Sequence, residues 1–333
     1  MGAVWRSWLA PLSAAYAGVM TLRNRHYDRP GATRRATVPV ISVGNLTVGG
    51  TGKTPMVIDL ARRLRDLGHR PAILTRGYKA RAGETADEVL EFHAAIPGVA
   101  VVVDPDRVRG AETASAQHGA DCVVLDDGFQ HRRLSRDLDI VLIDALDAWG
   151  GGRVLPAGRL REPQAGLRRA SLIVLTRTNQ VEPSQVAAIA AECARLAPRV
   201  KVLQAGVEID ACVRRDGTRI DEDALRRGGA VAVCGLGNPE TFQRLVGDFV
   251  LPTPRIVFGD HHRYTATDAR FIQARAADAG ASWVVTTRKD WVKLLALWPD
   301  DGPELVRIDI RLRWADGEDV LLGLLRGVFA AGR

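Results

Sequence analysis

Apolar positions along the chain alternate between two periods. Short runs rich in valine, isoleucine and leucine fall at residues 38–43, 72–75, 99–103, 122–126, 139–143, 172–175, 230–234, 255–258, 283–286 and 305–310. Such runs predict strands buried on both faces. Between them, apolar residues recur at spacings of three and four over residues 54–67 (Met56, Leu60, Leu64, Leu67), 184–196, 239–249 and 266–279, which predicts helices. The alternation is that of an α/β chain whose mostly parallel sheet is covered on both faces. One stretch departs from it. Residues 202–213 and the segment after Asp216-Gly217 read as two β-runs about a tight turn, a hairpin that marks a junction between two halves.

The amino-terminal segment has a different pattern. Residues 8–22 carry no charge, and Leu9, Leu12, Tyr16 and Val19 fall on one helical face. Trp5 and Trp8 stand at its start, and Arg23, Arg25, Arg29, Arg34 and Arg35 follow. A secretory signal, a buried core helix and a helix lying in a membrane surface all fit. The signal reading has Ala15-Tyr16-Ala17 as a cleavage-like site but only Arg6 before the apolar run. In the interfacial reading the tryptophans sit at headgroup depth and the arginines attract anionic lipid. The run is short of the roughly 18–20 residues needed to span a bilayer.

Composition changes the picture in two ways. The chain has 333 residues, 46% apolar and 26% charged, which excludes a disordered or fibrous class and suggests two domains. Its net charge of +7 is almost wholly arginine, since the lysines are Lys53, Lys79, Lys201, Lys289 and Lys293. Arginine grips phosphate and carboxylate bidentately, so nucleic acid, an acidic membrane surface or a phosphorylated metabolite are the partners to weigh. No recognition motif or aromatic–basic interleaving supports nucleic acid. Cys122, Cys193, Cys212 and Cys234 lie far apart with no CxxC spacing, and read as buried thiols with neither a disulfide framework nor a zinc site.

Chemistry enters at Thr47-Val-Gly-Gly-Thr-Gly-Lys-Thr54, between the run at 38–43 and the helix that follows. Strand, glycine-rich loop and helix is the context of a phosphate-binding loop. Thr47, Val48, Gly49, Gly50, Thr51 and Gly52 form the loop, whose glycines let backbone N–H groups turn onto phosphates. Lys53 adds a point charge and the Thr54 hydroxyl suits Mg²⁺. Thr47 stands where the general pattern has glycine. The apolar run at 122–126 ends in Asp126 and Asp127, carboxylates at the carboxyl edge of a strand, where a phosphate-binding loop has its metal-directing acid. Because nucleotide is cytoplasmic, the loop removes the secretory reading of the amino terminus.

What the nucleotide serves is less constrained. No guanine-specificity motif is present, Thr287-Arg-Lys-Asp290 having the wrong order, and no transporter-type signature is visible. A kinase and an ATP-dependent binding switch tethered by the amino-terminal helix both remain open. A kinase needs a group for an acceptor hydroxyl, and Asp87-Glu88 and Asp260-His261-His262 are the candidates. A carboxylate beside an imidazole holds the ring's tautomer. The two histidines have no third ligand at metal spacing.

Extended to Ser42-Val-Gly-Asn-Leu-Thr-Val-Gly-Gly-Thr-Gly-Lys-Thr-Pro55, the loop resembles that of the tetraacyldisaccharide 4′-kinases, the lipid A 4′-kinases of Gram-negative bacteria, in which threonine is usual at position 47. Further blocks agree in order: Thr75-Arg-Gly-Tyr78, Asp87-Glu88, Asp106-Arg107, Asp126-Asp-Gly-Phe-Gln-His131, Leu155-Pro-Ala-Gly158 with Leu160-Arg-Glu-Pro163, Cys234-Gly-Leu-Gly-Asn-Pro239, Asp260-His-His262 and Thr286-Thr-Arg-Lys-Asp290. Arg159, Lys79 and Arg288 depart from the usual Pro, Gly and Glu.

The resemblance implies transfer of the ATP γ-phosphate to the 4′-hydroxyl of an acylated glucosamine disaccharide 1-phosphate, giving lipid IVA. ATP and Mg²⁺ are the cofactors it implies. It places the enzyme at the cytoplasmic face of the bacterial inner membrane, peripheral or shallowly inserted, on an anionic surface, with no nucleic acid and no protein partner. Asp87 and His261 match the catalytic pair and Arg107 a basic residue of the active site; Thr54, Asp126, Asp127 and Glu162 match the metal–nucleotide residues. The fold implied is a P-loop α/β/α sandwich with a second, smaller α/β domain joined by a two-stranded β linker. The expected division is an interfacial helix at 1–29, a nucleotide domain at 30–204, a hairpin linker at 205–220 and a second α/β domain at 221–333.

Overall fold

The computed structural model describes residues 8–77 and 87–330. Trp5, Arg6, Tyr78 and Lys79 of the sequence reading lie outside the described residues. From the amino end the chain forms α1 (Ala10–Tyr27), β1 (Val40–Asn45), α2 (Lys53–Asp66), β2 (Pro71–Thr75), α3 (Asp87–Ala95), β3 (Ala100–Val103), α4 (Arg107–His118) and β4 (Cys122–Asp126). There follow β5 (Leu138–Asp144), β6 (Leu172–Thr176), α5 (Pro183–Leu196), β7 (Lys201–Val213), β8 (Arg219–Ile220), α6 (Glu222–Gly228), β9 (Ala230–Cys234) and α7 (Pro239–Val246). The last elements are β10 (Ile256–Val257), α8 (Ala266–Asp278), β11 (Trp283–Thr287), α9 (Arg288–Leu294), β12 (Glu304–Trp314) and α10 (Glu318–Ala330).

Two compact units result. One gathers the described residues of Met1–Lys79, Ile96–Val207 and Leu312–Arg333; the other gathers those of Ala80–Ala95 and Glu208–Arg311. In the first, parallel strands lie in the order β7-β6-β5-β1-β4-β2-β3. β1, β4 and β5 are buried at every position, as expected of strands covered on both faces. The apolar face of α2 (Met56, Leu60, Leu64) is fully buried, so the three-and-four spacing read from the sequence is what seats this helix.

The second unit orders its parallel strands β10-β9-β11-β12. A core of Val231, Val233, Ile272, Val284, Trp291, Leu294 and Leu305 lies on one side of these strands. Leu225, Phe242, Val246, Val285 and Val306 pack with Cys212 and Cys234 in another. All four cysteines are free and buried, and burial drives each thiol's pKa upward.

The units divide the chain differently from a cut at the hairpin. The expected hairpin is short: only Cys212 and Val213 of β7 pair antiparallel with β8, while Lys201–Ala205 run parallel to β6. The unit boundaries fall inside β7, after Val207, and inside β12, after Arg311. Two segments also change sides. α3 belongs with the second unit because Glu91 on it faces Arg288 and Lys289 of α9. α10 returns to the first, where Glu318 pairs with Arg63 at 2.7 Å and Phe329 stacks on His69 at 3.5 Å.

Candidate active site

The first unit holds the phosphate-binding loop. It leaves the carboxyl end of β1 and enters α2 through Gly52, whose φ of +84° is a left-handed conformation that disfavours a side chain. Gly49, at φ +127°, is also left-handed, and among the described residues an added Cβ there or at Gly50 would meet nothing within 4 Å. The loop's carbonyls are tied back: Arg177 Nη2 donates to Gly50 O at 2.7 Å, Thr176 Oγ1 to Thr51 O at 3.0 Å and Asn45 Nδ2 to Thr47 O at 2.7 Å. Val48 N–H donates to Arg159 O at 2.7 Å.

Beside the loop stands a cluster of opposite charges. Asp126 ends β4, buried, and Asp127 follows at φ +57°. Arg161 Nη1 holds both Asp127 oxygens, at 2.8 and 2.7 Å, and Lys53 Nζ lies 3.6 Å from the same carboxylate. Burial would raise the Asp127 pKa, but Lys53 and Arg161 overcome it and hold the carboxyl below its usual range. Arg107 opens α4, whose amino end Asp106 caps. Its side chain is 3% exposed, and Nη1 donates to Asp104 O. Its Nε and Nη2 are buried with no hydrogen-bond partner among the described residues. Burial lowers the Arg107 pKa, and the nearby Asp126 and Asp127 oppose that. Buried cationic donors left unmade are costly, and a phosphate oxygen is the acceptor they fit.

The second unit brings Asp87 and His261 together, 174 residues apart in sequence. His261 Nδ1 lies 3.1 Å from Asp87 Oδ2, and its Nε2 lies 3.7 Å from Asp260 Oδ2. Asp87 opens α3, and His261 sits after β10 at φ +62°. The neighbouring His262 points elsewhere, to Asp268 at 3.2 Å, and stacks on Phe258.

A phosphate loop with its lysine beside an aspartate, and a separate carboxylate–imidazole pair, match a kinase. Residues 5–327 match the family model described as Tetraacyldisaccharide-1-P 4'-kinase. The chain belongs to the tetraacyldisaccharide-1-P 4'-kinase family. Relatives named tetraacyldisaccharide 4'-kinase include one from Anaeromyxobacter dehalogenans, 39% identical over 96% of this chain and 90% of its own length. One from Geobacter sulfurreducens is 40% identical over 86% and 84%. A crystal structure of the Aquifex aeolicus protein LpxK in complex with ATP aligns with a TM-score of 0.77 and 30% identity, covering 98% of this chain and 100% of that one.

For a tetraacyldisaccharide-1-P 4'-kinase, the placement of Glu162 is informative. The carboxylate is fully buried, and both its oxygens are engaged. Arg169 donates to the two at 2.6 and 2.7 Å, Gln130 Nε2 to Oε1 at 2.9 Å and Asn24 Nδ2 to Oε2 at 2.9 Å. Arg169 also lies over the Phe129 ring, 3.8 Å from its centroid. Glu162 thus accepts from three protein side chains here, and one of them, Gln130, also lies 3.4 Å from the Arg161 that holds Asp127. Among the described residues no group of three or more His, Cys, Asp or Glu could hold a metal ion. Thr54, Asp126 and Asp127 suffice in kind for Mg²⁺, which takes one or two carboxylates and completes its shell with substrate phosphates and water.

No local signal in the sequence marks Arg161, Arg169 or Asn24, because their partners come from distant elements. Arg288, which departs from the family's usual Glu, is buried and paired with Asp309 at 2.8 Å. The inner side of α1 bonds to this site as well. Ser13 Oγ donates to Val154 O at 3.0 Å, Tyr16 OH to Arg161 O at 2.9 Å and Arg23 Nη2 to Gln130 O at 2.8 Å. Trp8, Leu12, Val19 and Leu22 point away and are 56–66% exposed. The expected single face of Leu9, Leu12, Tyr16 and Val19 therefore splits, Tyr16 packing inward and Leu12 and Val19 outward. Among the described residues no helix is long and apolar enough to cross a membrane.

Proposed function

We propose that the chain transfers the γ-phosphate of ATP to the 4′-hydroxyl of a tetraacylated glucosamine disaccharide 1-phosphate, giving lipid IVA, at the cytoplasmic face of the inner membrane. The observation that carries the acceptor side is the Asp87–His261 hydrogen bond. A carboxylate oriented by an imidazole is suited to take the proton of an attacking hydroxyl. Phosphate transfer of this kind demands little covalent chemistry of the protein, so most of the work is positioning and charge.

In this reading the backbone of residues 47–52 cradles the nucleotide's phosphates, with Lys53 as their point charge. Arg107 supplies to a phosphate oxygen the Nε and Nη2 donors that have no partner among the described residues. Thr54, Asp126 and Asp127 would hold Mg²⁺, which when bound would supply charge to offset that developing on the phosphates. Asp87 accepts the hydroxyl proton, and His261 keeps that carboxylate aligned. The exposed stripe of Trp8, Leu12, Val19 and Leu22 lies in the membrane surface, where Arg25 and Arg29, also exposed, meet anionic headgroups. This is the surface from which an acylated substrate is drawn.

Incubation with γ-labelled ATP, Mg²⁺ and the acylated disaccharide 1-phosphate in detergent tests the reading. Label in the lipid fraction supports it. ATP hydrolysis with no label in the lipid supports instead an ATP-driven switch, and removes the kinase assignment.

A further inference from the structure

Helix α9 carries Lys289 and Lys293 four residues apart, and so on one face. Each meets a carboxylate that flanks the same imidazole. Lys293 Nζ lies 2.5 Å from Asp87 Oδ2, the oxygen that stands 3.1 Å from His261 Nδ1. Lys289 Nζ lies 2.7 Å from Asp260 Oδ1, whose other oxygen approaches His261 Nε2. Lys293 also donates to the His262 carbonyl at 3.3 Å, which ties the turn carrying His261 to the helix.

These are not surface pairs of negligible worth. Lys293 and Asp87 are only 14% and 24% exposed, so water screens that pair poorly, whereas Asp260 is 42% exposed and the Lys289 pair is more screened. The helix that presents them is itself fixed. Thr287 caps it, and the fully buried Asp290 accepts from Thr287 Oγ1 at 2.8 Å and from Gly235 N–H at 2.9 Å. Arg288 pins it to Asp309. Without the two ammoniums, two carboxylates would face one ring with less positive charge to offset theirs.

We propose that Lys293 is a positioning residue for the Asp87–His261 pair, fixing the Asp87 carboxylate in register with the ring, and that Lys289 does the same for Asp260. This rests on the reading of Asp87 as the group that meets the acceptor hydroxyl. Lys293 acts through Asp87 and needs no contact with substrate. The ammonium charge is the working feature, because a neutral donor would orient one oxygen but bring no charge to offset that of Asp87.

The test uses full-length Lys293→Met, Lys293→Arg and Lys293→Ala, with Asp87→Asn in parallel, assayed with ATP and the acylated disaccharide 1-phosphate in detergent. Lys293→Met is expected to lower kcat on the order of 10- to 100-fold while KM for ATP stays within about twofold. Lys293→Arg recovers part of the loss, and added ethylammonium restores turnover to Lys293→Ala in a saturable way. Wild-type kcat in Lys293→Met overturns the proposal, as does an equal loss in all three variants with no response to amine. If Lys293→Met does not fold, Lys293→Gln decides: a kcat drop with unchanged melting supports the proposal, and wild-type kcat overturns it. Full turnover by Asp87→Asn would instead sink the underlying reading. An inactive Asp87→Asn beside a wild-type-like Lys293→Met sinks this inference alone.

Discussion

Asn24 on α1 donates its Nδ2 hydrogen to Glu162 Oε2 at 2.9 Å, so the helix with the exposed apolar stripe also completes the hydrogen bonding of a fully buried carboxylate. Glu162 in turn accepts from Gln130, which is 3.4 Å from Arg161, the residue that holds Asp127. Asn24→Ala leaves one lone pair of that carboxylate unsatisfied and is expected to cost about 1–3 kcal/mol of stability. Urea unfolding measures it. Removing residues 1–27 takes away Ser13, Tyr16 and Arg23 as well, and should lower both stability and turnover; a truncated protein that keeps both would show the seat to be dispensable.

The outer stripe should behave oppositely. Leu12→Glu with Val19→Glu alters exposed positions, so thermal stability should move by no more than about 0.5 kcal/mol per site. Flotation with vesicles containing anionic lipid should fall sharply. Unchanged flotation would remove the stripe from the membrane reading.

At the loop, Lys53→Met removes the ammonium that stands 3.6 Å from Asp127. ATP affinity is expected to weaken by about tenfold or more, roughly 1.4 kcal/mol, by calorimetric titration. Arg161 still holds Asp127, so the melting temperature should change little. Unaltered ATP binding would contradict the role given to Lys53.

Asp87→Ala should separate chemistry from binding. Loss of a general base lowers kcat by roughly 10² to 10⁴. The affinity for ATP should stay near wild type, since Asp87 is placed to serve the acceptor. A parallel loss of both would mark Asp87 as structural.

His131 gives the pH dependence. Burial, then the cations Arg107 and Arg76, push its pKa down to about 4 from an ordinary 6.5. A histidine depressed in the folded state binds fewer protons than it does unfolded. Its contribution is therefore fully present above about pH 6.5 and is lost as pH falls toward 4. Melting temperature across that window should drop less steeply in His131→Asn than in wild type. Identical slopes would mean that His131 is not the responsible group.

The parts of the site that were legible in the sequence are those whose chemistry is contiguous. Residues 47–54 place glycines, lysine and threonine in eight consecutive positions, and Asp126-Asp127 close an unmistakable apolar strand. Asp87 and His261 could be listed as candidates from their residue types, but pairing them took the family resemblance, because 174 residues separate them. Lys293, Arg169 and Asn24 carry no local signal, since their partners come from distant elements. Elements show the same contrast. α2 was plain from its large apolar residues, whereas α4 buries Gly110, Ala111 and Ala114, too small to stand out as an apolar face. The excursion of residues 87–95 into the other unit depends on α3 meeting α9, and no stretch of composition marks it.

Phosphate transfer to one hydroxyl of an acylated disaccharide leaves its own signature in the lipid. Phosphorus NMR of the lipid recovered after reaction with ATP and Mg²⁺ tests it most directly. One new monoester resonance is expected, coupled to the proton at the 4′ position, alongside an unchanged 1-phosphate signal and equimolar ADP. ATP converted to ADP and inorganic phosphate with the lipid spectrum unaltered, or new phosphate on any other hydroxyl, would contradict it.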